Sequence, residues 1–100
     1  MYSRKPYHAE VLWINDVQVS YDSEADVLYV SKQNAIEALT EEDDDGLLFR
    51  YSMQDDSPCG VTVVAFRQGW AGHKEQLARR VSQFLNVSLD ETKRAITAMR

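Results

Sequence analysis

Hydrophobic and polar residues alternate along much of the first two thirds of the chain. Val17, Val19 and Tyr21 alternate with polar residues, and this period of two is typical of a strand with one buried face. Three further segments are rich in β-branched and aromatic residues, which suit strands, and turn-forming residues separate them. These segments cover residues 27–30, 47–53 and 61–66. The pattern predicts about four antiparallel strands, joined as a β-meander within residues 11–66.

Polar residues interrupt the sheet pattern at two places. Asn15-Asp16 predicts a turn that would separate a short lead-in strand from the strand that starts at Val17. Glu41–Asp45 is an uninterrupted acidic run before Gly46, with carboxylates at alternate positions as in part of a calcium-binding loop. Ser52 stands where such a loop needs a closing glutamate, and a strand follows where a helix should. We therefore expect a solvated hairpin loop here and no metal site.

The hydrophobic period changes in the last third of the chain. Apolar residues then recur every three to four positions, which indicates an amphipathic helix over His73–Leu85. A short turn follows, and Ser88 with Glu91 forms a capping box at the start of a second helix. We expect this helical hairpin, over residues 73–100, to pack on one face of the sheet as its cover. The predicted fold class is therefore α+β, with a single domain over residues 1–100.

Carboxylates lie between two of the predicted strands, in the segment YDSEADVLYV at residues 21–30. Aspartate and serine side chains bond to nearby backbone N–H groups, so the segment favours a hairpin connection. The alternative is a small enzyme or ligand-binding site built on Tyr21, Asp22 and Asp26. That site would draw the side chains into a pocket with a perturbed carboxylate, whereas a turn would leave them exposed and bonded to the backbone.

Charge is unevenly distributed along the 100-residue chain, whose net charge is −5. Residues 1–66 carry 4 basic and 13 acidic side chains, a balance of −9, whereas residues 67–100 carry 7 basic and 3 acidic ones, a balance of +4. One interpretation is DNA binding by the helical pair, and the other is mutual attraction of the two halves. The candidate nucleic-acid contacts are Lys74, Arg79, Arg80, Lys93 and Arg94. Asp90 and Glu91 oppose this role, because a recognition helix needs basic or amide side chains at its start.

Residues suited to catalysis, metal binding or cofactor binding are sparse. Cys59 is the single cysteine, so no internal disulfide forms, and no histidine lies near it in sequence to activate the thiol. The chain has no paired-cysteine or His-x-x-x-His spacing for zinc and no glycine-rich phosphate loop. We therefore expect no enzymatic activity and no cofactor. Trp13 and Trp70 are expected to pack in the core or at an interface with a partner.

Targeting segments are not apparent either. No apolar run approaches the ~18 residues that a membrane helix requires. Basic side chains near the N-terminus lack an apolar stretch behind them, so we expect no secretion signal. A single cysteine fits a reducing compartment. These features predict a cytoplasmic protein that does not contact a membrane.

The segment at residues 21–30 resembles the signature of a family of small bacterial and cyanobacterial proteins catalogued as a domain of unknown function. The family pattern is YD-x-EAD-x-LYI, then an acidic stretch, a strand and a final G-[IV]-E-[IVL] strand. The matching residues are Tyr21, Asp22, Glu24, Ala25, Asp26, Leu28 and Tyr29, with Gly60, Val61 and Val63 in the final strand. Thr62 stands where the pattern has a glutamate, so a family role of that glutamate would be missing here. The resemblance covers roughly residues 17–66 and argues for a strand edge or loop, not a helical turn, near residues 35–39.

This resemblance implies a compact α+β unit that often forms the antitoxin half of a toxin–antitoxin pair. The implied partner is a basic, toxin-like protein that contacts the acidic sheet. The signature-turn residues with a structural or partner-binding role are Tyr21, Asp22, Glu24, Asp26 and Tyr29. We expect a non-enzymatic protein-binding module, plausible as an antitoxin-like regulator, with a DNA-binding repressor acting through the C-terminal helices as the alternative. An unprotected sheet edge also favours a homodimer.

Overall fold

A computed structural model describes residues 9–14, 17–32 and 38–99. Strands and helices follow one another along the chain, with six strands before three helices in this part of the protein. The strands are β1 (Ala9–Ile14), β2 (Val17–Asp22), β3 (Val27–Lys32), β4 (Ala38–Glu42), β5 (Leu47–Ser52) and β6 (Pro58–Val64). The helices are α1 (Phe66–Trp70), α2 (Lys74–Leu85) and α3 (Leu89–Ala98). The predicted α+β class, with an antiparallel sheet before C-terminal helices, is confirmed.

The sheet consists of two three-stranded meanders that meet in its centre. Its strand order is β1-β2-β3-β6-β5-β4, and every neighbouring pair is antiparallel. The predicted count of about four strands in one meander was therefore wrong. The sheet edges are β1, which corresponds to the short lead-in strand predicted before Val17, and β4, which begins at Ala38 in the segment expected to be a strand edge or loop. The side chains of β4 are mostly exposed, and its sequence has no hydrophobic alternation. The predicted turn at residues 15–16 and the segment 33–37 lie outside the described residues.

One hydrophobic core joins the sheet to the helices. Along a strand, residues that face the helices alternate with residues that face away from them. In β2 the residues that face the helices are Val17, Val19 and Tyr21, and all three are buried. Helix α2 contributes its apolar stripe to the same core, and α3 adds a second stripe. The core residues from α2 and α3 are Leu77, Ala78, Val81, Leu85, Ala95 and Ile96. The helical pair therefore covers one face of the sheet, which supplies the second layer that a sheet needs.

Local capping sets the ends of the two long helices. Asn86 ends α2 in the left-handed conformation (φ 58°), which asparagine tolerates better than most residues. Ser88 then caps α3 by accepting a hydrogen bond from the Glu91 amide at 3.2 Å. Both predicted helices are present, although His73 is the residue before α2 rather than its first residue.

The short helix α1 was not predicted. The residue pattern predicted a last strand that extends to Phe66, but β6 ends at Val64, and Ala65 turns the chain with a left-handed φ of 57°. That conformation costs an L-residue about 1–2 kcal/mol. Phe66 is fully buried beside Tyr21, with ring centroids 5.3 Å apart. Burial of Phe66 and contacts from a distant turn, described below, stabilise this change of direction.

Gly60 in β6 lies where two strands leave no space for a side chain. A Cβ atom at this position would lie 2.9 Å from the carbonyl oxygen of Val30, and 3.6 Å from Arg50 Cδ. The first contact is with backbone in the centre of the sheet, so it cannot be relieved by a rotamer change. Gly60 therefore allows β3 and β6 to pair closely and leaves room for the Arg50 side chain.

We expect Gly60→Ala to lower the free energy of unfolding by about 1–3 kcal/mol, because the added methyl group overpacks the β3–β6 pair. Urea denaturation followed by circular dichroism measures this change. Gly69→Ala is the matched control, since nothing lies within 4 Å of a Cβ atom there. The control should be neutral or slightly stabilising in its helix, and equal effects of the two substitutions would contradict the close-packing explanation.

Candidate functional site

Asp22 shapes the turn between β2 and β3. Its Oδ1 atom accepts hydrogen bonds from the amides of Glu24 at 3.0 Å and Ala25 at 3.2 Å. This is the local bonding by which aspartate stabilises tight turns. Glu24, at the tip of the turn, is exposed. Asp22 is therefore bonded to the backbone of its own turn.

Asp26 connects this turn to the start of α1, which lies 41 residues later in the sequence. Its carboxylate accepts hydrogen bonds from the amides of Arg67 at 2.7 Å and Gln68 at 3.2 Å, and its backbone carbonyl accepts one from the amide of Phe66 at 3.0 Å. A carboxylate beside the first amides of a helix satisfies donors that have no partner within the helix. Asp26 also holds a left-handed φ of 57°. It acts as a helix cap supplied by a distant turn.

The hydrogen bonds of Asp26 determine its charge state. Partial burial opposes ionisation, but the Arg67 amide, the Tyr21 hydroxyl and the Gln68 amide outweigh it and hold the pKa of the Asp26 carboxyl below its usual value. The carboxylate is thus ionised at neutral pH. A lowered carboxyl pKa is unsuited to a general acid, which needs a raised pKa.

Tyr21 completes the cluster from the buried side. Its hydroxyl donates a 2.7 Å hydrogen bond to Asp26 Oδ1, and its ring packs edge-on against Phe66. Burial, followed by the hydrogen bond to ionised Asp26 and the negative charge of that carboxylate, raises the pKa of Tyr21 to about 12. The guanidinium carbon of Arg67 lies 5.6 Å from the ring centroid. Tyr21 and Asp26 therefore lie together, as the alternative prediction of a ligand-binding or catalytic cluster required. Their hydrogen bonds, however, are to each other and to the backbone of α1.

Tyr29 does not belong to this cluster. It pairs with Ser20 and Thr62 in the sheet and is 42% exposed, whereas its neighbour Leu28 is buried. Successive residues of a strand point to opposite faces, so Tyr29 lies on the face away from the helices. The signature segment thus contributes to both faces of the sheet.

Basic side chains of the helices mostly bind partners within the chain. Lys74 donates to the carbonyl oxygen of Met99 at 3.4 Å, and Arg79 and Lys93 lie 3.1 and 3.8 Å from Glu75 Oε2. Arg94 is exposed on α3. A phosphate would have to compete with these intramolecular contacts, each of which is weak at a surface.

Arg80 has a different role, because it joins α2 to the acidic loop between β4 and β5. Its guanidinium donates to Asp43 and, at 2.7 Å, to Asp45 Oδ2. Asp43 also accepts the amides of Leu47 and Asp45, both at 2.9 Å. Partial burial opposes the charge of Asp43, but these amides and Arg80 outweigh it and hold the pKa of the carboxyl below its usual value.

The acidic run is therefore more than the solvated loop that the sequence predicted. Glu41 and Glu42 belong to β4, and the loop proper covers residues 43–46. Two of its carboxylates bind Arg80, since the tertiary fold brings α2 over this end of the sheet. Part of the charge asymmetry is thus neutralised within the molecule. Among the described residues, no group of three His, Cys, Asp or Glu side chains is arranged to hold a metal ion.

The face of the sheet away from the helices exposes apolar side chains. Strand pairing places six residues side by side in one row across all six strands: Val11, Ser20, Tyr29, Thr62, Leu48 and Glu42. Val11 is 49% exposed, and on the same face Trp13 and Val64 are 55% and 48% exposed. We call this surface, with Val11, Trp13, Tyr29, Leu48 and Val64 as its apolar residues, the open face. Polar residues of β2 separate the apolar side chains of β1 from Tyr29, but a face that exposes several large apolar side chains commonly marks a site of interaction.

A cleft of about 900 Å³ adjoins the open face at the end of the sheet where β4 meets its loop. Leu48, Val64 and Glu42 belong to both surfaces, and Trp70 and His73 also line the cleft. Trp70 is half-buried against the core, whereas Trp13 is exposed. The core environment predicted for the tryptophans thus applies to Trp70, and an interface role for Trp13 stays a prediction. Cys59 is buried in β6.

Most of the open face was missed by sequence reasoning, although a signal for it existed. The residues between buried positions in β3 and β6, such as Tyr29 and Val64, share a face by alternation. What the sequence did not supply was the strand order, which places β1 and β6 on one continuous surface. Thr62 lies in the middle of this surface and is half-buried.

These features define a small α+β protein with one covered and one uncovered face of an antiparallel sheet. The chain belongs to the family described as protein of unknown function (DUF2283), which matches residues 18–67. The match starts in β2 and ends at Arg67, so it includes the turn of Asp26 and the α1 amide that this residue caps. Strand β1 and helices α2 and α3 lie outside it. A search among curated proteins and a search among solved structures found no match.

None of the described helices is long and apolar enough to cross a membrane.

We expect Asp26→Asn to lower the free energy of unfolding by about 1–3 kcal/mol at pH 7, because the amide replaces a charged acceptor of three hydrogen bonds. The folded-state pKa of Asp26 lies below the unfolded value of about 3.9. The stabilisation is therefore complete above the unfolded pKa and is lost as pH falls through the folded pKa. The stabilities of the two proteins, from denaturant titrations, should begin to converge as pH falls below about 4 and should coincide only below the folded-state pKa of Asp26. Asp44→Asn in the exposed loop is the control, and a pH-independent difference would contradict this assignment.

Tyr21→Phe should keep the ring contact with Phe66 but lose the bond to Asp26, which lowers the free energy of unfolding by about 0.5–1.5 kcal/mol at neutral pH. Because the folded pKa of Tyr21 is raised to about 12, wild-type stability from this group is complete below the unfolded pKa of about 10 and is lost as pH rises toward the folded value. The decrease in melting temperature at alkaline pH should therefore be smaller in Tyr21→Phe than in the wild type. Tyr29→Phe, at an exposed position, is the control and should show the same decrease as the wild type.

Proposed function

We propose that the protein is a non-enzymatic protein-binding module whose partner lies on the open face of the sheet. The observation that carries this proposal is the set of exposed apolar side chains on this one face, with Val11 and Trp13 on β1, Tyr29 on β3 and Val64 on β6. Aromatic side chains that remain exposed on a rigid sheet are suited to act as anchors in a partner's pocket. The sheet is rigid because its other face is packed against the helices.

The charges around the open face favour a partner with basic residues. Asp22 lies on this face at the end of β2, and Glu42 lies on it at the edge strand β4. Glu41 and Asp44 are exposed nearby. Arg50 is the basic residue on the same face of β5, beside Gly60. An apolar centre with a mainly acidic rim complements a protein whose patch is apolar and rimmed by lysine and arginine.

Within that class, an antitoxin-like regulator that neutralises a basic protein is the function we favour. The acidic rim would steer such a partner to the sheet, and the cleft beside Glu42 offers space for one of its side chains. Nucleic acid is a weaker candidate for the open face, because phosphates would meet Asp22 and Glu42. The carboxylates and phenol of the signature turn support the fold through Asp26 and α1, so a catalytic role for them has little geometric support.

The test compares capture of partners by tagged full-length protein from an extract of its native cells. Tyr29→Lys/Val64→Lys adds two positive charges to the open face, where both residues are about half exposed. Gln83→Lys/Thr97→Lys adds the same charge to exposed positions of α2 and α3. We expect the wild type and the helix variant to capture the same basic protein, released by salt, and the open-face variant to lose it by at least about tenfold.

Equal capture by the open-face variant and the wild type would overturn the proposal. Retention of DNA that disappears after nuclease treatment, and that increases in the helix variant, would instead favour the helical pair as the binding element. Circular dichroism confirms beforehand that each variant is folded.

A further inference from the structure

The two edges of the sheet differ in how they are protected. Strands β1 and β4 are the outermost strands among the described residues, so each has backbone groups on its outer side without a strand partner there. Natural edge strands commonly carry charges or proline that prevent further pairing. Strand β4 has Glu41 and Glu42 and leads into three aspartates, whereas β1 reads AEVLWI and carries a single charge. Only β4 has the protection expected of an edge that remains alone.

We propose that β1 pairs antiparallel with β1 of a second copy of the chain, around a two-fold axis at Leu12. Residues directly opposite each other in an antiparallel pair lie on the same face of a sheet. This pairing places Val11 opposite Trp13 of the second copy, twice, and Leu12 opposite Leu12. Pairs of aromatic and β-branched residues are among the favourable cross-strand contacts. Val11, Leu12 and Trp13 are 49%, 39% and 55% exposed in the single chain, so this strand has apolar surface left to bury.

Charge also favours this edge over the other one. A chain with a net charge of −5 repels its own copies overall. Pairing through β4 would bring two acidic runs together, whereas the β1 sequence AEVLWI contains one acidic residue. Helix α3, which packs beside β1, balances Asp90 and Glu91 with Lys93 and Arg94. Of the two sheet edges, β1 is therefore the less repulsive one for self-association.

The dimer would have one sheet of twelve strands, counted as twice the six of one chain. Because the two-fold axis is perpendicular to the sheet, the helices of both copies lie on the same side and the two open faces join into one surface. This inference does not depend on the proposed function, since it concerns the protein alone. A partner that binds the open face would meet Trp13 residues from both copies near the centre.

Analytical ultracentrifugation of the full chain over a dilution series tests the proposal. We expect a reversible dimer for the wild type. Val11→Lys/Trp13→Lys should raise the dimer Kd by at least about tenfold, because each lysine at 11 faces a lysine at 13 of the second copy. Val11→Lys/Trp13→Glu should restore the dimer to within about threefold of wild type, since the same positions then form two opposite-charge pairs.

Leu39→Lys/Thr40→Lys is the matched control, because it adds two charges to exposed positions of the other edge strand. It should leave the dimer at least as stable as in the wild type. A monomeric wild type at every concentration would overturn the proposal. So would a lysine–lysine variant that dimerises like the wild type, or a lysine–glutamate variant as weak as the lysine–lysine one.

Amide hydrogen exchange of the wild type gives a second test, which does not depend on whether a substituted protein folds. Amides of β1 should exchange more slowly as concentration rises, while those of β4 should not change. Slower exchange confined to β4, or no change in either edge strand, would contradict pairing through β1.

Discussion

The Asp26 carboxylate joins two parts of the chain that are far apart in sequence, and the placement of the helices depends on it. It accepts hydrogen bonds from the Tyr21 hydroxyl and from two α1 amides, while its own backbone carbonyl binds the Phe66 amide. These bonds stabilise the left-handed Ala65, where the chain leaves β6 and turns toward the covered face. The following helices can then bury their apolar stripes against the strands. The sequence left open a catalytic or ligand-binding role for this carboxylate, but in the fold it caps a helix that is distant in sequence.

The same end of the sheet also binds α2. Arg80 reaches from α2 to Asp43 and Asp45 in the loop after β4, and its guanidinium carbon lies 5.8 Å from the centroid of the Phe49 ring. The turn of Asp26 thus contacts backbone amides of α1, and the loop of Asp43 and Asp45 contacts the Arg80 guanidinium of α2. This arrangement uses part of the opposite charge of the two halves of the chain for folding. It also leaves fewer basic side chains for contacts with phosphate.

When helices cover just one face of a sheet, the side chains of the other face are not needed for the core and can contribute to binding. In this protein that face has exposed aromatic and β-branched side chains where a solvated sheet normally carries polar ones. The family match includes most of this face but not β1, which adds Val11 and Trp13 to it. Strand β1 contributes both exposed apolar residues and one edge of the sheet. The proposed binding surface and the proposed dimer both use this strand.

The sequence by itself determined those features that depend on neighbours a few residues away. Alternation in β2 and β6, the apolar period of α2 and the Ser88 cap of α3 were all readable, because side chains two to four positions apart share a face or a hydrogen bond. The Asp22 turn was readable for the same reason. Only the tertiary structure decided the strand order, the edge strand β4, helix α1 and the partners of Arg80. Each of these depends on residues tens of positions apart, such as Asp26 with Arg67, whose contact is favourable only once the strands between them have paired.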